Sequence, residues 1–243
     1  MTSPRLPHAV QDLPSRRNKA LKIERLLDLR AADAPIRMLE VGCGSGGISH
    51  YFATHPSLPC RVQAVDVHDN RSAKGGYGFT LVDGVVLPFD DGSFDVVISN
   101  HVVEHVGPVE AQREHLRELR RVMADDGIGY LAVPNRWMLV EPHYRLAFLS
   151  WWPRRWRDGW LRLWRRGQAY DCEPLTLAEA ERLLEEAPLA HQNVCVRALR
   201  ETLAIEGGGR LARGVAAMPG TLLALLLPVF PTLCFVLRKK LPG

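Results

Sequence analysis

The run Leu39–Ser49, LEVGCGSGGIS, is an apolar stretch carrying Glu40 that feeds a glycine-rich turn and then the start of a helix. Gly42, Gly44 and Gly46 give a backbone that can take positive φ and approach a ligand closely, and the helix that follows offers unpaired N–H groups at its start. That combination suits the grip on a nucleotide-like cofactor. Gly42, Gly44 and Gly47 also satisfy G-x-G-x-x-G, the dinucleotide fingerprint. A second strand-like run, RVQAVD, ends at Asp66, 19 residues after Gly47 (66 − 47), where a carboxylate can accept from both ribose hydroxyls. Both features fit a nicotinamide or flavin enzyme as well, and these residues alone leave that choice open.

The run Val82–His105, VDGVVLPFDDGSFDVVISNHVVEH, is not what a dinucleotide enzyme calls for. Together with the loop at 39–49 it resembles the class I S-adenosylmethionine (SAM) dependent methyltransferases, in particular the group that includes the ubiquinone and menaquinone methyltransferases. The matching motifs follow one another in order over roughly residues 36–134. The resemblance implies an α/β, Rossmann-like fold: a mostly parallel seven-stranded sheet with an antiparallel last strand and helices on both faces. It implies SAM as cofactor, with S-adenosylhomocysteine (SAH) as product. On it, Glu40 and the glycines at 42, 44 and 46 hold the methionine moiety, with Cys43 inside the loop packing rather than reacting. Asp66, with Val67 beside it, takes the ribose, and Asp83 takes the adenine amino group, with Gly84 beside it. Asn100 and His101 lie under the sulfonium, near the transferred methyl. One departure is plain, since His68–Gly76 (HDNRSAKGG) has no apolar face for a connecting helix and reads as a loop.

Methyl transfer from a sulfonium asks for in-line placement of the acceptor, exclusion of water and, for a hydroxyl acceptor, removal of a proton. The candidate bases are His101, His105 and His143. NHVVEHV resembles the metal-binding run of the ubiquinone-pathway O-methyltransferases at Glu104 and His105, but His101 stands where they carry a carboxylate. That loss weakens a site for a hard cation such as Mg²⁺. No metal is therefore expected, and Glu104 and His105 are read as capping and orienting the loop, with a divalent ion held by His101, Glu104 and His105 as the less favoured alternative. Glu141, His143 and Tyr144, just past the fifth strand, are the expected acceptor contacts, set against ordinary loop polarity.

The elements that must position these residues alternate. Short Val- and Ile-rich runs predict buried parallel strands at Ile36–Val41, Arg61–Asp66, Phe79–Val82, Phe94–Ser99 and Ile128–Pro134. Helices are expected at Gly46–Thr54, at Val109–Ala124 with Leu116, Leu119 and Val122 inward, and at Thr176–Ala187 with Thr176 and Glu179 as a capping box. A polar lead and amphipathic helix, with Leu21, Leu26 and Leu29 buried, fill residues 1–34. His191–Leu199 and Thr232–Arg238 are expected to supply the last strand pair. The 243 residues, 47% hydrophobic, read as one methyltransferase domain with insertions at 135–173 and 200–230.

The five cysteines lack paired or metal-like spacing, which with the absence of a signal-peptide pattern predicts a cytoplasmic setting. All six tryptophans fall in the 135–173 insertion, and four recur every four residues from Trp152 to Trp164. Residues 151–166 hold six arginines against Asp158 alone, +5 where the whole chain carries +4. A basic helix with a Trp/Leu face suits peripheral contact with an anionic membrane on the inner face; a lid with inward tryptophans and an RNA-binding surface are the other readings, nucleic acid the least favoured. Gly214–Leu237 has no charged residue, but prolines at 219, 228 and 231 argue against a membrane span. Its part at 214–227 reads as either a core helix or a second membrane or substrate contact. The expected function is SAM-dependent methyl transfer to a lipid-like or amphipathic small molecule, at oxygen. Alternatives are methylation of RNA or a polar metabolite, or a non-catalytic SAM-binding or membrane-tethered module. Oligomeric state is not legible.

Overall fold

The computed structural model describes residues 12–141, 144–207 and 209–240. Helix α1 (Leu13–Leu27) leads into strand β1 (Ile36–Val41), helix α2 (Gly47–Ala53), and strands β2 (Cys60–Asp66), β3 (Gly78–Leu81) and β4 (Phe94–Asn100). Helix α3 (Val109–Val122) and strand β5 (Met123–Pro134) follow. The insertion then makes a two-residue-per-strand hairpin, β6 (Val140–Glu141) and β7 (Leu146–Ala147), and helix α4 (Arg154–Leu163). Helix α5 (Leu177–Glu186), strand β8 (Leu189–Asn193), helices α6 (Cys195–Glu206), α7 (Arg210–Ala217) and α8 (Gly220–Ala224), and strand β9 (Thr232–Lys239) complete it.

Seven strands form one sheet in the order β3-β2-β1-β4-β5-β9-β8. The pairs from β3 through β5 are parallel, and β9 is antiparallel to both of its neighbours. This is the expected doubly covered α/β sheet, and its central strands are buried along nearly their whole length, as their unbroken Val/Ile/Leu runs require. The chain runs outward from β1 to β3 and then crosses back to β4. The crevice over the carboxyl ends of β1 and β4 is therefore the switch point at which open α/β sheets bind ligands.

Local signals hold at several places. Thr176 Oγ1 accepts from the Glu179 backbone N–H at 3.2 Å, and Glu179 accepts from the Thr176 N–H at 2.8 Å, so the capping box that opens α5 is made. Residues 68–76 have no helix, as expected, and this loop folds back so that the N–H groups of Ser72 and Ala73 both donate to the Ser45 carbonyl at 3.0 Å.

Other boundaries move. The α3 helix stops at Val122, and the register of β5 against β4 shifts between Phe94 and Val96, so residues 124–127 bulge out before Ile128 rejoins the sheet. The inward face of α1 is Ala20, Ile23, Leu26 and Leu27; Leu21 and Leu29 are only half-buried. The expected strand His191–Leu199 is a strand only to Asn193. There the Asn193 side chain accepts from the Cys195 N–H at 3.0 Å and starts α6, which buries Cys195 and Ala198 one turn apart. Helix packing against α1 overrides the β-leaning V-C-V run.

The insertion is clamped at its base, where the Leu175 N–H donates to Pro134 O (3.3 Å) and the Arg136 N–H to Leu175 O (2.9 Å). It has its own small core of Leu146, Leu149 and Leu161. At 214–227 the apolar stretch is broken into short helices with Leu223 buried and Leu222, Leu225 and Leu226 exposed, rather than one core helix. No helix among the described residues is long and apolar enough to cross a membrane.

Candidate active site

A cleft of about 880 Å³ opens at the switch point. Its size is ample for a nucleoside-sized cofactor with a second small molecule beside it. Gly42 and Gly44 form its rim, with φ of +72° and +53°, and a Cβ at Gly42 would overlap the side chain of Val102, just past the tip of β4. Gly46 (φ +75°) is pressed on by Tyr77 and the Ala73 carbonyl, so the 68–76 loop and the glycine turn brace each other.

Asp66 and Val67 line the cleft at the end of β2. Asp66 Oδ2 accepts from the Gly44 N–H at 2.8 Å and Oδ1 from the His68 N–H at 3.3 Å. A carboxylate has about four acceptor positions, so two remain for ligand hydroxyls. Gly84, Val82 and Leu87 form the far wall, and His68 and Asn70 from the loop close the near one. Asp83 is exposed and does not line the cleft, although both of its neighbours do.

Glu40, Cys43 and Gly46 do not line it either. Glu40 is buried beneath the turn, accepts from the Ser49 N–H at 2.9 Å and from its hydroxyl, and so ties β1 to the start of α2. Burial lifts its carboxyl to about 7, against the pull of Ser49 and Arg16. Cys43 is buried, which pushes its thiol well above the usual range and keeps it unreactive.

The tip of β4 is the most strained part of the site. His101 has φ +60° and donates its N–H to Ala132 O at 2.8 Å, which turns its ring into the cleft. His101 Nδ1 stands 3.3 Å from Glu104 Oε1, and His105 Nε2 stands 3.9 Å from the same oxygen. Glu104 is 1% exposed. Burial raises its carboxyl, but the nearness of His101 and the charges of both histidines take it below the ordinary carboxylate range. With Nδ1 turned to Glu104, Nε2 is the ring nitrogen left to meet an acceptor. Asn100 also lines the cleft, and its Nδ2 is buried with no hydrogen-bond partner among the described residues. That orphaned donor, the spare acceptor positions on Asp66 and the close glycine rim are what a SAM nucleoside and amino-acid tail would satisfy.

Two of the three expected acceptor contacts are placed elsewhere. Glu141 accepts from the Tyr144 N–H at 2.7 Å, and the Tyr144 hydroxyl donates to Asp171 at 3.1 Å, so both brace the insertion and neither lines the cleft. His143 lies outside the described residues. Arg145 and Asp171, next to them in sequence or contact, do face the cleft. No metal-holding cluster occurs among the described residues. The cleft is also lined by three residues that the sequence analysis does not single out: Arg16, Lys19 and Lys22 of α1. Their three-residue spacing puts them on one helix face, but nothing in the sequence says that the face looks onto a ligand.

The sheet order and a cofactor-shaped cleft at its switch point define a class I, Rossmann-like methyltransferase fold. Residues 39–131 match the family described as a methyltransferase domain, and that stretch of the chain is a methyltransferase domain. Among known proteins it is similar to the ajmaline N-methyltransferase of Rauvolfia serpentina, 30% identical over 37% of this chain and 33% of that one. It is also similar to the chloroplastic tocopherol O-methyltransferase of Arabidopsis thaliana, 35% identical over 37% of this chain and 28% of that one. The chain thus spans about a third of the length of these relatives. In fold it resembles the methyltransferase solved with the Trm112 activator of Haloferax volcanii, with a TM-score of 0.58 and 17% identity over 97% of this chain and 95% of that one.

Proposed function

We propose that this protein transfers the methyl group of SAM to an oxygen atom of a lipid-like or amphipathic small molecule. When bound, the cofactor supplies an already activated methyl group on a sulfonium; the chain's own residues must place the acceptor and handle a proton. The observation that carries the reading is the His101–Glu104 pair at the tip of β4, of which His101 lines the same cleft as Asp66 and Glu104 is buried behind it. Asp66 holds the ribose end through charge-assisted bonds, and Asn100 donates to the cofactor from below. His101 Nε2 takes the proton of an acceptor hydroxyl, while the buried Glu104 carboxylate fixes the ring and stabilises its cationic form. An oxygen acceptor is favoured because a hydroxyl needs such a base. Of the two relatives named above, one is named for methylation at nitrogen and the other for methylation at oxygen. The test is calorimetry with SAH. Wild type binds it and Asp66→Ala binds it weaker by roughly 2–3 kcal/mol while keeping its fold. Binding of NADH in place of SAH, or an unchanged Asp66→Ala, sinks the cofactor assignment.

Delivery of such an acceptor from an anionic membrane surface is the second part of the proposal. It is supported by α4, which turns Arg157 and Leu161 inward and leaves Trp156 and Trp164 51% and 56% exposed. Arg155 stacks on Trp156 with 5.3 Å from its guanidinium carbon to the ring centre, so cation and indole share one surface.

A further inference from the structure

Three cations line the cleft that methyl transfer itself does not use. Arg16, Lys19 and Lys22 follow one another at three-residue spacing along one face of α1, and all three line the cleft. Arg16 belongs to the cofactor half. Its Cβ would stand 2.6 Å from a Cβ added at Gly47, the first residue of α2, and it acts on Glu40 beneath the glycine turn.

Lys19 and Lys22 continue the row away from that turn. Lys22 acts on Cys234 of β9, whose sulfur contacts the Tyr130 hydroxyl of β5 at 3.5 Å, and Tyr130, Ala132, Pro134, Pro231 and Thr232 line the same end of the cleft. In the sheet order this end lies across β4 from Asp66, which leaves it for the acceptor if Asp66 holds the cofactor. Both lysines are half-buried, and neither makes a hydrogen bond or ion pair among the described residues. Burial and the charges of Arg16 and Lys22 bring Lys19 down to about 8, and the acids Glu206 and Glu104 offset this only in part. Like charges crowded on one half-buried face are a cost to the fold that an anionic ligand group would remove.

We propose, on the basis of the methyltransferase reading, that Lys19 and Lys22 seat an anionic group of the acceptor, a carboxylate or a phosphate. The apolar wall of Val106, Pro134 and Pro231 then holds its carbon skeleton toward His101. The enzyme accordingly selects acidic amphiphiles over neutral and cationic ones of the same length.

The test titrates octanoate, octyl phosphate, octanol and octylammonium, each below its micelle concentration, into the full chain saturated with SAH. The two anions are expected to bind at least tenfold tighter than octanol and octylammonium, and whichever anion binds better names the group. Lys19→Met/Lys22→Met should bring the anions to the octanol level while SAH affinity holds and the melting temperature does not fall. If the double variant melts early, Lys22→Gln alone decides, with an expected loss of at least threefold for the anions and none for octanol. Equal binding of octanol and octanoate, or full anion affinity in a folded lysine variant, overturns the proposal. Failure of SAH to bind brings down the methyltransferase reading instead, and the same titrations on the SAH-free chain then decide the lysine seat by themselves.

Discussion

Gly42 and His101 share one physical role, since both hold positive φ so that the glycine turn and the tip of β4 can close on a single point. At Gly42 an added methyl meets Val102 and also forces an L side chain into the left-handed region, a strain of about 1–2 kcal/mol before the clash is counted. Gly42→Ala should therefore lose SAH binding outright while the sheet survives; calorimetry beside a denaturant melt separates the two effects, and retained affinity would mean that the turn does not close as described. His115 gives a prediction in pH. It is buried, its Nε2 lies 3.0 Å from Ser99 Oγ, and burial holds it down at about 4 against 6.5 when exposed. Between those values the unfolded chain binds a proton that the folded chain does not, so stability is complete above about 6.5 and falls as pH drops toward 4. Glu40, lifted to about 7, acts in the opposite direction over the range from 4.5 to 7. His115→Gln should flatten the acid limb of a stability–pH curve by up to about 2–3 kcal/mol, and an unchanged slope would reject the buried neutral imidazole.

Among the elements, α4 is the one whose sequence pattern and packing diverge most usefully. The four-residue tryptophan spacing predicts a stripe, and Trp152, Trp160 and Trp164 do contact in series at 5.3 and 6.0 Å between ring centres. What the pattern could not show is which side faces inward. Arg157 goes inside, donating to Trp152 O and Ser150 O and facing the Tyr170 ring, because a guanidinium can satisfy several carbonyls at once where an indole cannot. Trp160 packs against the small core of the insertion, so Trp156 and Trp164 are the pair that probes surface binding without loosening the fold. Wild type should float with anionic liposomes and be released only partly by high salt, and Trp156→Ala/Trp164→Ala should remove the salt-resistant fraction at unchanged SAH affinity. Complete release of wild type by salt would point to charge alone, and no flotation would leave α4 a lid. The same contrast explains what was legible elsewhere. The positive-φ glycine turn and the α5 capping box are local signals in which residue type dictates backbone geometry, and both are present; Asp66 lies at the end of β2 on the cleft, where its run ended in sequence. The α1 cations, the end of β8 and the roles of Glu141 and Tyr144 depend on which distant element lies opposite, and periodicity carries no such information.

Across the whole molecule the cleft joins parts of the chain that are far apart in sequence: α1 near the start, the switch point between β1 and β4, and Pro231 and Thr232 at the head of β9. A ligand that fills it binds only the folded arrangement of all three, so its binding free energy adds to global stability by mass action. At a SAH concentration a hundredfold above its dissociation constant the gain is about 2.7 kcal/mol, and for a chain of this size that should raise the melting temperature by about 5–10 °C. NADH at the same concentration should leave it unmoved. Asp66→Ala should lose the shift at the wild-type saturating concentration and recover it only at roughly a hundredfold more SAH. The α4 tryptophan variants should keep it in full, because the insertion has its own small core and its exposed tryptophans do not line the cleft. A shift of equal size with NADH, or one lost in the α4 variants, would mean that the stabilising ligand reads a different surface from the switch-point cleft.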